Sequence, residues 1–131
     1  QLKKIFDRLN GTKILVRGNH DRGTISMFNM GFAMVMDEAS MTLDGQRIYI
    51  AHRPRAVLPP LCAGVFHGHI HTADREGLLR AFNNRSRSLA NFPGDELVDI
   101  PPFNVNLSVE VTNYAPIFYR EALRKLQRQM K

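Results

Sequence analysis

Three short apolar segments constrain the fold of this chain most strongly, because each one runs into a polar loop that carries histidine. The segments cover residues 14–16, 47–51 and 63–66, and they are short and rich in branched side chains, as buried strands are. The loops that follow contain, in chain order, Asn19 with His20, then His52, then His69 with His71. Because strand ends on one edge of a sheet converge, we expect these side chains to meet although they are distant in the sequence.

The remaining pattern predicts one layered domain over residues 1–131, of α/β class, or α+β class by some schemes. Apolar residues at helical spacing open the chain, and Asn10-Gly11 ends that helix because both residues tolerate the left-handed conformation. Asp44-Gly45 is a hairpin turn signal between two strands. Residues 24–41 form a mixed, methionine-rich apolar stretch whose pattern does not distinguish helix from strand.

The C-terminal half adds a loop, a strand and a helix to this prediction. Residues 72–102 are polar and contain several Pro, Gly and Asn-Asn breakers, which predicts a flexible or inserted loop. Residues 105–112 alternate apolar and polar side chains and predict a half-buried strand. The chain then ends in a helix with one apolar face, formed by Tyr119, Leu123, Leu126 and Met130.

Charge and cysteine content narrow the classes of function only slightly. The net charge of +6 attracts phosphate-bearing partners, from nucleotides to nucleic acid. A solvated helix face explains the basic cluster at residues 120–131 equally well. Cys62 is the only cysteine, which excludes an internal disulfide and makes the cytoplasm the expected location. No apolar run approaches about 18 residues, so no membrane span is expected.

The polar groups at the strand ends have the residue types of a metal site. Imidazole is the commonest protein ligand of divalent transition metals, and the amide oxygen of Asn19 would add a hard donor. His69 and His71 are two residues apart in a segment expected to be extended, so their side chains should point the same way. Taken singly, each residue has another explanation: a strand-end histidine is more often a surface or hydrogen-bonded residue, and Asn19 also suits a turn. For His67 we keep this ordinary explanation and do not count it among the metal ligands.

Together these motifs resemble the calcineurin-like metallophosphoesterase family. Gly18-Asn19-His20-Asp21 resembles its GNH(D/E) motif, His52 matches the isolated histidine that follows a strand, and Gly68-His69-Ile70-His71 resembles its GHxH motif. Residues 104–116 are similar to the closing strand and turn of small bacterial and phage members. The resemblance covers essentially the whole chain, as the C-terminal portion of the family's domain, and implies part of a β-sandwich flanked by helices.

The resemblance implies a hydrolase with a binuclear centre of manganese, iron, zinc or a similar divalent ion. It implies that Asn19, His52 and His69 bind one ion and that His71 binds the other. A metal-activated hydroxide would then attack the phosphorus of a phosphomonoester or phosphodiester in line. His20 would donate a proton or a hydrogen bond to the departing oxygen.

Three further residues of the first motif region have two interpretations each. Asp21 either positions the catalytic His20 loop or simply stabilises the turn. Arg17 and Arg22 either contact the phosphate of the substrate or face solvent.

Two motifs of the family, Asp-x-His and Gly-Asp, do not occur ahead of Gly18. They supply the remaining ligands, including the aspartate that bridges both ions and offsets their repulsion. We therefore expect this chain alone to hold one ion at most, and activity to require the missing N-terminal segment, from a longer chain or a separate polypeptide. Sheet edges left open without that segment would also favour self-association.

A non-catalytic module that binds phosphate or nucleic acid is the alternative function. The feature that favours it is a group of four arginines, at positions 75, 80, 85 and 87. Phe82 is the only aromatic residue among them, which makes a poor platform for stacking bases. A structural zinc protein is disfavoured because closed zinc sites usually contain cysteine.

Overall fold

The computed structural model describes residues 2–70 and 100–131. Helices and strands are mixed along the chain, which gives an α+β class. In chain order the elements are α1 (Leu2–Arg8), β1 (Ile14–Val16), α2 (Thr24–Met30), β2 (Met34–Met36), β3 (Glu38–Leu43), β4 (Gln46–Ala51), β5 (Gly64–His67), β6 (Asn104–Asn106) and α3 (Tyr119–Gln129). The three strand segments predicted before the histidine loops are confirmed, with each end shifted by at most one residue.

In the part of the chain that the structure describes, the larger sheet has four strands in the order β3-β4-β5-β6. Strands β3 and β4 pair antiparallel through a hairpin whose turn residues, Asp44 and Gly45, have φ values of 47° and 80°. Positive φ at both positions is the pattern of a type I′ turn. Strands β4, β5 and β6 are parallel to one another. Their carboxyl ends therefore lie at one edge of the sheet, where the loops after residues 51, 67 and 106 begin.

Among the described residues, the second sheet consists of β1 and β2, which pair in parallel. The pairing extends past β1, because the Arg17 N–H donates to the carbonyl oxygen of Met36 over 2.8 Å. Only Asp37 separates β2 from β3, so the two sheets follow each other directly along the chain. The prediction of a fully buried first strand is wrong: Ile14 is 53% exposed, since β1 has one neighbouring strand among the described residues.

Helix α3 covers one face of the four-stranded sheet and completes the main core. The buried cluster joins this helix to the three parallel strands through Ile48, Phe66, Val105, Ala122, Leu123 and Leu126. Gly64 permits the close approach, because a Cβ at that position would lie 2.5 Å from Cδ2 of Leu126. The packing thus fixes the strands whose ends carry the histidine loops.

The predicted strand over residues 105–112 is confirmed only as far as Asn106. The Leu107 N–H still donates to the carbonyl oxygen of His67 over 2.7 Å, and the chain then turns. The N–H groups of Val111 and Thr112 both donate to the carbonyl oxygen of Ser108, over 2.9 and 3.1 Å. Turn hydrogen bonds therefore replace the ladder that the alternating pattern predicted.

The predicted buried face of the terminal helix is only half right. Leu123 and Leu126 are buried, but Tyr119 and Met130 are 40% and 51% exposed. Ala122, at 1% exposure, lies in the core instead. The buried residues therefore lie in the middle of the helix, where Leu126 packs against β5 at Gly64, while Tyr119 and Met130 stand at its two ends.

Some features of the sequence lie outside the described residues. They include His71, the four arginines at positions 75 to 87 and most of the predicted loop over residues 72–102. Within the described part of the chain, no helix is long and apolar enough to cross a membrane.

Candidate metal-binding site

Three donor atoms from three loops meet near the carboxyl edge of the parallel strands. Oδ1 of Asn19, in the turn after β1, lies 2.6 Å from Nε2 of His52, which follows β4. Nδ1 of His69, which follows β5, lies 2.9 Å from the same nitrogen. The structure therefore brings together the three residues that the family resemblance assigns to one metal ion.

The two contacts made by Nε2 of His52 compete for the same position on the ring. The His52 and His69 rings meet edge to face, with centroids 4.7 Å apart and an interplanar angle of 73°. An imidazole nitrogen holds at most one hydrogen, and an amide oxygen only accepts. Three atoms that can each offer a lone pair thus converge on one small volume, as the ligands of a cation do.

Two glycines contact His52 from the neighbouring loops. A Cβ on Gly18 would lie 2.9 Å from Cε1 and 3.0 Å from Nδ1 of His52, so the ring packs directly against the Gly18 backbone. The Gly68 N–H donates to the carbonyl oxygen of His52 over 3.2 Å. These are the glycines that open the two sequence motifs. The structure gives a steric reason for Gly18, whereas a Cβ on Gly68 would make only ordinary contacts of 3.9 to 4.0 Å.

Asp21 closes the turn that presents Asn19 and His20. Its Oδ2 accepts a hydrogen bond from the Gly18 N–H over 2.6 Å, and its own N–H donates to the carbonyl oxygen of Gly18 over 3.2 Å. Asn19 and His20 are the two central residues of this turn. Of the two roles expected for Asp21, these contacts support stabilisation of the turn.

The loop after β5 holds His69 in a left-handed backbone conformation, with φ of 66°. The Ile70 N–H donates to the carbonyl oxygen of Gly68 over 2.8 Å, and the Ile70 side chain, 2% exposed, anchors the loop. Nδ2 of Asn106 donates to the carbonyl oxygen of Ile70 over 2.8 Å. The segment is not extended at His69, so the expectation that the side chains of His69 and His71 point the same way loses its basis.

His67 is not one of the converging groups. The residue is 4% exposed, and its Nδ1 lies 2.8 Å from the carbonyl oxygen of Gly68. Because a carbonyl oxygen only accepts, Nδ1 carries the hydrogen of the neutral ring. Burial, partly offset by that hydrogen bond, lowers the pKa of His67 to about 4. His67 is therefore a neutral, hydrogen-bonded interior residue.

The other predicted site residues differ in their surroundings. His20 is exposed beside Asn19, and Arg22 is exposed just after the turn. The Arg17 guanidinium donates to Oδ1 of Asp37 through Nε over 2.9 Å and through Nη2 over 2.6 Å. Arg17 thus ties β1 to the segment after β2, which leaves Arg22 as the more accessible arginine for a phosphate group.

Sequence reasoning missed two residues that border the site, Asn106 and Ser108. Alternation predicted that both face solvent, but Ser108 is 8% exposed and its buried Oγ has no hydrogen-bond partner among the described residues. Oδ1 of Asn106 accepts from the Ser108 N–H over 2.9 Å. Both residues lie at the end of a strand that runs parallel to the strand before His69. That position is the signal that could have identified them.

The three donors at the candidate site are not all side chains of the usual metal-binding types, His, Cys, Asp and Glu. Within residues 2–70 and 100–131, no group of three or more His, Cys, Asp or Glu side chains is arranged to hold a metal ion. The candidate site combines two histidines with the amide of Asn19 instead.

Comparisons with other proteins give one similar fold. No protein-family model matches the chain, and no curated protein matches it. The crystal structure of a protein of unknown function, AQ665 from Aquifex aeolicus, is similar to this chain, with a TM-score of 0.59 and 24% sequence identity. The similarity covers 93% of this chain and 65% of that one, so this chain spans slightly less than two thirds of the other's length. At this identity the likeness shows the fold alone.

Proposed function

We propose that this chain carries part of the active site of a calcineurin-like, metal-dependent phosphoesterase that hydrolyses a phosphomonoester or a phosphodiester. The observation that carries the proposal is the convergence of Asn19, His52 and His69 from three loops, at donor separations of 2.6 and 2.9 Å. The order of these residues in the two glycine-containing motifs supports it, and so does the positive net charge, which attracts phosphate.

The donor set fits a divalent cation in both spacing and chemistry. Neighbouring ligands of an octahedral ion with bonds of about 2.1 Å lie about 3.0 Å apart. The 2.9 Å separation between Nε2 of His52 and Nδ1 of His69 is close to that value, and the 2.6 Å separation from Nε2 to Oδ1 of Asn19 is shorter than it. Two imidazole nitrogens and one amide oxygen suit manganese, iron or zinc better than calcium, which prefers oxygen ligands alone.

The chain's own residues would divide the work between binding and proton transfer. When bound, a divalent cation supplies Lewis acidity toward a phosphoryl oxygen and activates water at neutral pH. Asn19, His52 and His69 would hold that ion, while the exposed His20 donates a proton to the departing oxygen. The contacts of Asp21 with Gly18 keep Asn19 and His20 at a constant spacing along one turn.

No carboxylate belongs to the three-donor group. In the family that the sequence resembles, the bridging aspartate comes from motifs that do not occur ahead of Gly18 in this sequence, and the resemblance assigns His71 to the second ion. The proposal therefore concerns this chain together with the segment that supplies those ligands, from a longer chain or a separate polypeptide, and its tests use that assembly.

The experiment measures hydrolysis of p-nitrophenyl phosphate and bis(p-nitrophenyl) phosphate with and without added Mn²⁺. We expect Mn²⁺-dependent turnover, a loss of about 100-fold or more in His20→Ala, and weakened turnover in Asn19→Ala, His52→Ala and His69→Ala. Asn29→Ala is the matched control for Asn19→Ala, because Asn29 is an exposed asparagine on α2.

Two outcomes would contradict the proposal. Unchanged Mn²⁺-dependent turnover in His20→Ala would remove the proton donor from the mechanism. Salt-dependent binding of nucleic acid by a protein with no metal-dependent turnover would favour the non-catalytic module instead.

A further inference from the structure

We infer that Asn104 and Asn106 are positioning residues, which together set the relative position of the two histidine ligands. Each amide holds the loop of one histidine from the same strand, Asn104 the loop of His52 and Asn106 the loop of His69. The inference rests on the proposed metal site and extends it to two residues outside the GNH(D/E) and GHxH motifs.

The first observation is that the two asparagines share one face of β6. Residues two apart in a strand point to the same side, and Asn104 and Asn106 pair with Val65 and His67 of β5. Val105, which lies between them, belongs to the core beneath α3. The two amides therefore lie side by side on the face of the sheet away from that helix.

The second observation is the set of contacts made by Asn104. Its Oδ1 accepts from the Arg55 N–H over 2.8 Å, and its Nδ2 donates to the carbonyl oxygens of Arg55 over 2.9 Å and Pro101 over 3.1 Å. Asn104 is 3% exposed, so loss of these bonds would leave buried backbone groups unpaired. A carboxylate could not replace the amide, because it has no hydrogen to donate.

The contacts with Arg55 restrain His52 from the C-terminal side. Two residues separate His52 from Arg55, and the second of them is Pro54, which is buried and whose ring fixes φ. The carbonyl oxygen of His52 itself accepts from the Gly68 N–H over 3.2 Å. The short segment that carries the His52 ring is thus held at both of its ends.

The third observation is that Asn106 restrains His69 in a corresponding way. Its Nδ2 donates to the carbonyl oxygen of Ile70 over 2.8 Å, and its Oδ1 accepts from the Ser108 N–H over 2.9 Å, which orients the amide. Ile70 follows His69 directly. The φ of His69 is 66°, a conformation that a residue with a side chain keeps only where its surroundings hold it. Asn106 supplies one of the contacts that hold it.

The two anchors connect to metal binding through the distance between the rings. Nε2 of His52 and Nδ1 of His69 lie 2.9 Å apart, although the two residues belong to loops after different strands. A cation binds more tightly when its ligands already lie at bonding positions, and residues behind the ligands fix those positions. Two amides on one strand tie both loops to a common reference and so preserve the separation of the rings.

The test uses Asn104→Asp and Asn106→Asp, which keep the size of each side chain and its acceptor oxygens but remove the Nδ2 donor. In the metal-free protein, NMR reads the ring signals of both histidines and the nuclear Overhauser effect between the rings, whose centroids lie 4.7 Å apart. We expect Asn104→Asp to shift mainly the His52 signals and Asn106→Asp mainly the His69 signals. Both variants should weaken the effect between the rings.

Mn²⁺ affinity, measured by calorimetry, should fall about 10-fold in each variant, the scale seen for residues that orient metal ligands. An added negative charge attracts a cation, so a lower affinity in these variants cannot be an effect of charge. Asn106 is less buried than Asn104, so Asn106→Asp tests the inference even where Asn104→Asp does not fold.

The matched control is Val105→Ala, on the same strand but on the opposite face. Val105 is 1% exposed in the core beneath α3, so its truncation should lower the stability of the fold. The ring signals of both histidines and the Mn²⁺ affinity should stay unchanged in this variant. A change in stability alone therefore does not imitate the expected result.

Two results would overturn the inference: unchanged histidine ring signals in the folded Asp variants, or the same shifts in Val105→Ala. The ring measurements need no metal, which separates this inference from the proposed function. Failure of the unmodified protein to bind Mn²⁺ would remove the metal site, while the ring signals would still decide whether the two asparagines position the histidines.

Discussion

Gly18 packs so closely against His52 that a Cβ at Gly18 would lie 2.9 Å from Cε1 of the imidazole ring. A contact this short is not tolerated, so a side chain at Gly18 would displace either the ring or the loop that carries Asn19. The separation of 2.6 Å between Asn19 and His52 depends on both positions. The steric role of Gly18 is therefore inseparable from the geometry of the candidate site.

The first prediction follows from that contact. Gly18→Ala should weaken Mn²⁺ binding by about 10-fold or more, because changes that misorient a ligand have effects of this size. Gly23→Ala is the control, since a Cβ at Gly23 would have no atom within 4 Å. Isothermal titration calorimetry on both variants measures the difference. Equal affinities in the two variants would show that the His52 position does not matter for the metal.

The second prediction concerns the carboxylate of Asp21. Asp21→Ala removes the 2.6 Å hydrogen bond to the Gly18 N–H, so the turn should loosen and Mn²⁺ affinity should fall together with a loss of about 1 kcal/mol in the free energy of unfolding. The control is Asp7→Ala, which removes an exposed carboxylate paired with Lys3 on α1. Urea unfolding and calorimetry check the two effects. A loss of Mn²⁺ affinity of the same size in Asp7→Ala would point to general charge rather than to the turn.

The third prediction tests the core beneath the site. Leu126→Ala should lower the free energy of unfolding by about 2–5 kcal/mol, because the buried side chain packs against β5 and leaves a cavity when truncated. Leu61→Ala is the matched control, since Leu61 is 87% exposed. Urea unfolding monitored by circular dichroism measures both. A change below about 1 kcal/mol in Leu126→Ala would mean that α3 does not pack on the sheet as described.

The fourth prediction is a pH dependence at the start of α3. The Arg120 guanidinium, with a further hydrogen bond from the Tyr119 hydroxyl, holds the pKa of Asp44 below its ordinary value of 3.8. Since the folded-state pKa is lowered, the stabilisation is present above pH 3.8 and is lost as the pH falls through the folded-state value. Arg120→Ala should move the pKa of Asp44 up toward 3.8, as measured by carboxyl ¹³C NMR titration. An unchanged Asp44 titration in this variant would argue against the contact in solution.

Local signals in the sequence were sufficient to predict the hairpin and the ends of the strands. Asp44-Gly45 specifies a tight turn through backbone conformation, and the structure has positive φ at both residues. The short apolar runs ahead of His52 and His69 correctly indicated strands, and parallel pairing then placed both loops at one edge. Convergence of the ligand candidates could therefore be expected from the sequence.

Other features depended on tertiary contacts that no local pattern records. Alternation over residues 107–112 indicated which side chains are apolar, but it did not reveal a backbone that turns at Ser108. His69 takes a left-handed conformation that is unusual for a residue with a side chain, because the loop is held at Ile70 by Asn106. The exposure of Ile14 likewise reflects the number of neighbouring strands rather than its own sequence.

The most direct test of the proposed metal site is anomalous diffraction from crystals of the protein grown with Mn²⁺. We expect an anomalous peak within bonding distance of Oδ1 of Asn19, Nε2 of His52 and Nδ1 of His69. A peak located elsewhere, with these three atoms still in contact with one another as they are here, would contradict it.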